Sequence, residues 1–178
     1  MIPKKPLTIL LAEDNEDDLW LMQRALKKAH LPHPPVVVRD GAETIAYLAG
    51  HGKYADRTQY PFPFVLLLDL KMPVKDGFDV LEWWRAQPHR KHLTIIVLTS
   101  SVRRIDIERA YALGATSYLC KPSELDDLSE MIERILEYWA IVQPVEEDIL
   151  APPMGSNIPY RISIPGAKDS TATPSSSP

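Results

Sequence analysis

Phe64-Val65-Leu66-Leu67-Leu68-Asp69 decides the fold. Five consecutive apolar residues stand between a proline and an acid. The run is too short for a helix and shows no polar alternation. A strand buried on both faces reads this way, and such strands belong to parallel sheets covered by helices on both sides. Working outward, the pattern repeats. Leu7-Thr8-Ile9-Leu10-Leu11-Ala12 is closed by Glu13-Asp14, and Thr94-Ile95-Ile96-Val97-Leu98 by Thr99. Val36-Val37-Val38 leads into the turn Arg39-Asp40-Gly41, and the brief Ser117-Tyr118-Leu119 is followed by Cys120 and Lys121.

Amphipathic segments separate these runs. Leu19, Met22 and Leu26 recur at helical spacing over 16–29, behind Asn15 as a cap and an acidic first turn suited to the helix dipole. Further helices are expected over 42–48, 77–87 (Val80, Leu81 and Trp84 inward), 104–113 (with Gly114 just past its end) and from Ser123 to about 141. Leu125, Leu128, Ile132, Ile135, Leu136 and Trp139 mark the apolar stripe of the last. Residues 50–63 are rich in charge, glycine and proline, and longer than the usual 4–6 residue connection. They predict a surface loop with room for one helical turn.

Strand and helix thus alternate five times. Right-handed crossovers predict an α/β fold: a doubly wound, five-stranded parallel sheet of order 2-1-3-4-5, a flavodoxin-like three-layer sandwich with its switch point between the first and third strands. Residues 1–143 form this domain. Residues 144–178 carry seven of the seventeen prolines and end in a Ser/Thr/Pro stretch, which cannot build a core, so a mostly disordered tail is expected. A net charge of −4 disfavours a nucleic-acid surface. No apolar run is long enough to span a membrane. The single cysteine, Cys120, excludes an internal disulfide framework, and a cytoplasmic protein is expected.

The strand order gathers chemistry at one edge, because ligands bind at strand C-termini in such sheets. Glu13, Asp14 and Asp69 come together, with Thr99 and Lys121 on the strands beyond. Close carboxylates raise one another's pKa unless a cation sits among them. All-oxygen donors suit magnesium, Mg2+, rather than zinc. A carboxylate is also a nucleophile toward phosphorus, and Asp69, at the end of the central strand, is the best placed. Thr99 and Lys121 then supply a hydroxyl and a charge for the phosphoryl oxygens.

At this point the chain resembles the receiver domains of two-component response regulators (the CheY-like superfamily). The matching pieces are Leu11-Ala12-Glu13-Asp14-Asn15, Leu68-Asp69-Leu70-Lys71-Met72-Pro73 with Asp76-Gly77, Leu98-Thr99-Ser100, Tyr118-Leu119-Cys120-Lys121-Pro122 and Arg39-Asp40-Gly41-Ala42-Glu43. The resemblance covers about residues 7–141. It implies that Asp69 accepts a phosphoryl group from a sensor histidine kinase, with Glu13, Asp14 and Asp69 organising magnesium and the backbone carbonyl of Lys71 as a further ligand. It implies that Thr99 and Lys121 grip the phosphate and that Thr99 and Tyr118 form the switch. It also implies a structural role for Pro122, through a cis Lys121–Pro122 bond. The resemblance also implies that the side chains of Lys71 and Ser101 line the approach of the hydrolytic water, and slow self-hydrolysis is expected. Such a protein catalyses its own aspartyl phosphorylation and slow dephosphorylation but is first a signalling switch.

The 50–63 loop, with Tyr54, Arg57, Tyr60 and Pro61, resembles the single-domain response regulators of bacterial and cyanobacterial phytochrome histidine kinases. No effector segment is evident after the fifth helix, so output by protein contact with a downstream protein is expected. Trp20 and Gln23 are candidate kinase contacts. Tyr111, Tyr138 and Trp139 mark a helix 4–strand 5–helix 5 face for a homodimer, which the tail could modify. A magnesium-dependent phosphatase with an aspartyl nucleophile would want an acid where Lys71 stands. A non-phosphorylated interaction module would not need the full set of Glu13, Asp14, Asp69, Thr99 and Lys121.

Overall fold

The computed structural model describes residues 8–28, 34–87 and 93–141. The tail 144–178 lies outside them, as do Leu7, Ala29 and Pro88 and the side chains of Leu125, Leu136 and Trp139. The chain order is β1 (Ile9–Ala12), α1 (Glu16–Lys28), β2 (Val36–Val38), α2 (Gly41–Ala49), a 3-10 turn (Gly52–Tyr54), β3 (Val65–Leu68), α3 (Gly77–Arg85), β4 (Thr94–Thr99), α4 (Arg104–Ala112), β5 (Ser117–Cys120) and α5 (Leu125–Ile141). The five strands form one parallel sheet of order β2-β1-β3-β4-β5, as expected from the alternation. Ala12 pairs with Val38 on one side and Leu68 on the other, and Leu68 with Val97.

Successive strand residues face opposite ways, and the sheet is packed on both sides. Leu10, Leu66, Leu68, Ile95 and Val97 meet Tyr47 of α2 and Val80 and Leu81 of α3. Ile9, Leu11, Leu67, Ile96 and Leu98 meet Leu19, Met22 and Leu26 of α1 and Leu128 and Ile132 of α5. This double burial is why the β3 and β4 runs are continuous rather than alternating.

Local chemistry sets the helix starts. Asn15 Oδ1 accepts the N–H groups of Asp17 at 2.9 Å and Asp18 at 3.0 Å, opening α1. Asp40 accepts from the Glu43 N–H at 2.7 Å at the start of α2. Asp76 and Asp79 form a reciprocal capping box for α3. Gly114, with φ of 100°, follows α4 and lets the chain leave the helix in the left-handed region.

The 50–63 connection contains the expected helical turn, but it is not a loose surface loop. Tyr54 is buried, and its ring centroid lies 4.9 Å from Tyr47 and 5.0 Å from Tyr60. The Tyr47 hydroxyl donates to the Pro61 carbonyl at 2.8 Å, and Arg57 donates to the Leu48 carbonyl at 2.8 Å. Burying aromatic area outweighs the slowly growing entropy of a longer loop, so the segment becomes part of the core.

Several boundaries shift. β4 extends through Thr99 and β5 through Cys120, because the Lys121 N–H donates to the Thr99 carbonyl at 2.9 Å and continues the ladder. α3 stops at Arg85, before Gln87, with the Ala86 N–H turned back on the carbonyls of Glu82 and Trp83.

Candidate functional site

The strand ends converge as the order required. The Asp69 N–H donates to the Ala12 carbonyl at 3.0 Å and the Glu13 N–H to the Val38 carbonyl at 3.1 Å, so both acids are fixed by sheet bonds that run past the strands. Glu13, Asp69 and Thr99 are buried, and Asp14 is exposed. One carboxylate oxygen each from Glu13, Asp14 and Asp69 lies within 4.8 Å of the others, a set able to hold a divalent metal ion. Hard oxygen donors without histidine or sulfur fit a cation of the magnesium, manganese or calcium class.

Lys121 projects from the end of β5 into this group. Its Nζ donates to Glu13 Oε2 at 2.7 Å and to Asp18 Oδ2 at 2.8 Å, and stands 3.6 Å from Asp69 Oδ2. Burial works against the ammonium, but the bonds to Asp18 and Glu13 and the charge of Asp69 outweigh it, and its pKa is raised. Burial pushes the Glu13 carboxyl up; Lys121 opposes this, while nearby Asp69 adds to it. One ammonium thus serves several acids, leaving negative charge uncompensated for a cation to neutralise.

The path after Asp69 is tight. Asp69 Oδ1 accepts from the Lys71 N–H at 3.3 Å. Lys71 itself is exposed. At Gly77 a Cβ would come within 2.4 Å of the Asp69 carbonyl oxygen, so the start of α3 presses against the Asp69 backbone and admits no side chain there. Between them Val74 has φ of 64°, and the Lys75 N–H reaches back to the Pro73 carbonyl at 2.7 Å. A β-branched residue in the left-handed region is strained, and here the strain lies in the loop beside the acids.

Thr99 and Tyr118 are linked through Ser101. Thr99 Oγ1 accepts a long bond of 3.5 Å from the Ser101 N–H. The Tyr118 hydroxyl donates to the Ser101 carbonyl at 3.0 Å, with its ring half-buried. The Ser101 hydroxyl donates to Asp106 Oδ2 on α4 at 2.6 Å. The Tyr118 N–H donates to the Tyr111 hydroxyl at 3.1 Å. Thr99, Tyr118 and α4 are therefore joined by one chain of polar contacts.

One expectation fails: the Lys121–Pro122 bond is trans, since no described peptide bond is cis. Trans is the favoured form even before proline. Lys121 reaches the acids in this geometry with Pro122 half-buried behind it. Asp18, Asp106 and Tyr111 were not singled out by the sequence for this site. Asp18 stands one helical turn after Asp14, and that spacing was the available signal.

A family model described as the response regulator receiver domain matches residues 9–133. The chain belongs to the response regulator receiver domain family. This receiver domain is 37% identical over 134 residues to the response regulator Rcp1 of Synechocystis sp., covering 75% of this chain and 89% of that protein. Among solved structures it is similar to the phosphorylated cyanobacterial phytochrome response regulator RcpA, with a TM-score of 0.70, 37% identity and coverage of 77% of this chain and 96% of that one. The Mn(2+)-bound form of Rcp1 gives a TM-score of 0.70 at 35% identity, covering 79% of this chain and all of that one (100%). The receiver domain is thus related to those of phytochrome response regulators, and it carries the acidic cluster typical of receiver domains that phosphorylate themselves. No described helix is long and apolar enough to cross a membrane.

Proposed function

We propose that Asp69 is the phosphoacceptor of a two-component relay, receiving its phosphoryl group from a sensor histidine kinase of the phytochrome type. The observation that carries this is the position of Asp69, buried, with a lysine ammonium 3.6 Å from its carboxylate and two further acids within 4.8 Å. In the reaction an Asp69 carboxylate oxygen attacks phosphorus, an acyl–phosphate bond forms, and the bond from phosphorus to the kinase imidazole breaks. The imidazole nitrogen keeps the electron pair and takes up a proton. Glu13, Asp14, Asp69 and the Lys71 carbonyl would hold Mg2+, which supplies charge neutralisation for the transferring oxygens. Lys121 and the Thr99 hydroxyl take the remaining oxygens. Thr99 then draws on Ser101 and releases or turns Tyr118, so that the change reaches α4.

Partner type rests on the relatives named above and on the packed 50–63 segment. Trp20, exposed on α1, and the exposed Tyr111 and Tyr138 support kinase contact and a homodimer through α4, β5 and α5, respectively. Output is by protein contact in the cytoplasm, from a body of residues 1–143 with 144–178 as an appended tail. Lys71, exposed where a phosphatase would carry a general acid, speaks against the phosphatase alternative.

The test is incubation with magnesium and a small phosphodonor beside Asp69→Asn. The parent gains an acid-stable, hydroxylamine-labile phosphate that requires the metal, and the variant gains none. Labelling that persists in Asp69→Asn overturns the assignment.

A further inference from the structure

Lys121 is held by a carboxylate that the phosphoacceptor chemistry does not use. An ammonium has three donors. Two are committed to short bonds, with Glu13 at 2.7 Å and Asp18 at 2.8 Å, while the Asp69 contact at 3.6 Å is beyond hydrogen-bond length. Asp18 is on the first turn of α1, and that turn is fixed by the Asn15 side chain capping the N–H groups of Asp17 and Asp18. The resting lysine is therefore drawn toward α1 rather than onto the acceptor.

Of the three acids around the ammonium, Asp18 is the one that can be released at least cost. Its side chain is 37% exposed, against 1% for Glu13 and 10% for Asp69. Water replaces the lysine at Asp18, whereas a buried carboxylate stripped of its partner has nothing to replace it. A phosphoryl group on Asp69 brings added negative charge and three strong acceptor oxygens to the same ammonium.

We infer that Asp18 is a positioning residue that holds Lys121 in the resting protein, and that Lys121 exchanges Asp18 for a phosphoryl oxygen when Asp69 is modified. The inference rests on Asp69 being the acceptor. The strength of the Asp18–Lys121 bond is then subtracted from the affinity of the site for the phosphoryl group, so one residue on α1 sets the balance between resting and phosphorylated forms. Asparagine in its place keeps an acceptor oxygen but loses the charge that makes the bond strong.

The test is binding of beryllium fluoride with magnesium, a phosphoryl mimic, to the full chain, read from the fluorine NMR signal of bound fluoride. Asp18→Asn binds about three- to tenfold tighter than the parent, the range expected for losing a partly exposed ion pair. Asp18→Glu keeps the charge and stays near the parent. The gain of Asp18→Asn shrinks as salt is raised, because Asp18 is partly exposed and its attraction is screened. Asp17→Asn, one residue away and with its side chain outside the lysine's bonds, leaves the affinity unchanged. Unchanged or weaker binding by Asp18→Asn overturns the exchange, as does an equal gain in Asp17→Asn or Asp18→Glu. Asp69→Asn separates the two claims: full mimic binding by that variant defeats the acceptor assignment itself, whereas its loss alongside an inert Asp18→Asn defeats only the role of Asp18.

Discussion

Glu13 and Lys121, the residues just after β1 and β5, form a buried ion pair of 2.7 Å, their side chains only 1% and 6% exposed. The pair ties the end of β1 to the end of the edge strand β5 across β3 and β4, beside Asp69. A buried pair adds little to stability over an apolar replacement of both partners, but breaking it by removing one leaves an uncompensated charge.

Lys121→Met should therefore destabilise the metal-free protein by about 3 kcal/mol at neutral pH. Urea unfolding in the presence of a chelator measures this. Magnesium should recover part of the loss, since a divalent ion bound only to the folded state replaces the missing cation and stabilises by mass action. A loss under about 1 kcal/mol would contradict the burial of the pair.

Glu43 governs a second, acid-sensitive contact. Its carboxylate accepts from the Arg39 N–H at 2.8 Å, from Lys53 at 2.7 Å and from the Tyr54 hydroxyl at 2.7 Å, joining α2 to the 50–63 segment. Burial pushes the carboxyl up, but these donors prevail and hold it below its ordinary 4.5. A carboxyl lowered on folding contributes stability above its unfolded pKa, and the contribution is lost as pH falls through the lowered folded value. Glu43→Gln should melt below the parent at pH 7, and the gap should close as pH falls through the lowered folded value. Thermal melting across pH checks this, and a gap independent of pH would show that the charge is irrelevant.

Val74 is a stability reserve. With φ of 64° and 82% exposure it bears the steric cost of the left-handed region and returns almost no burial. Removing the Cβ relieves about 1–2 kcal/mol, against roughly 0.5–1 kcal/mol of added chain entropy for glycine. Val74→Gly should stabilise by about 0.5–1 kcal/mol in urea unfolding. Any loss of stability would mean that the valine side chain is supported by contacts its exposure denies.

The sequence by itself determined the sheet and its order. Apolar runs such as Phe64-Val65-Leu66-Leu67-Leu68 have one low-energy fate, burial on both faces, and the helices between them force parallel crossovers. It also determined which acids meet, because Glu13, Asp14 and Asp69 are bound to strand ends whose adjacency follows from that order. Local patterns could not reveal how long side chains divide their attention. That Lys121 prefers Glu13 and Asp18 to Asp69 is decided by distances across more than a hundred residues of chain, and by the pose of α1 on the sheet. The trans bond at Pro122 belongs to the same class, since which isomer a loop takes depends on its tertiary setting. The 50–63 segment does too: its composition is that of a loop, and only the meeting of Tyr47, Tyr54 and Tyr60 in space makes it core. Periodicity records what each element must bury; the partners of a charge or a ring are fixed only when the elements are packed together.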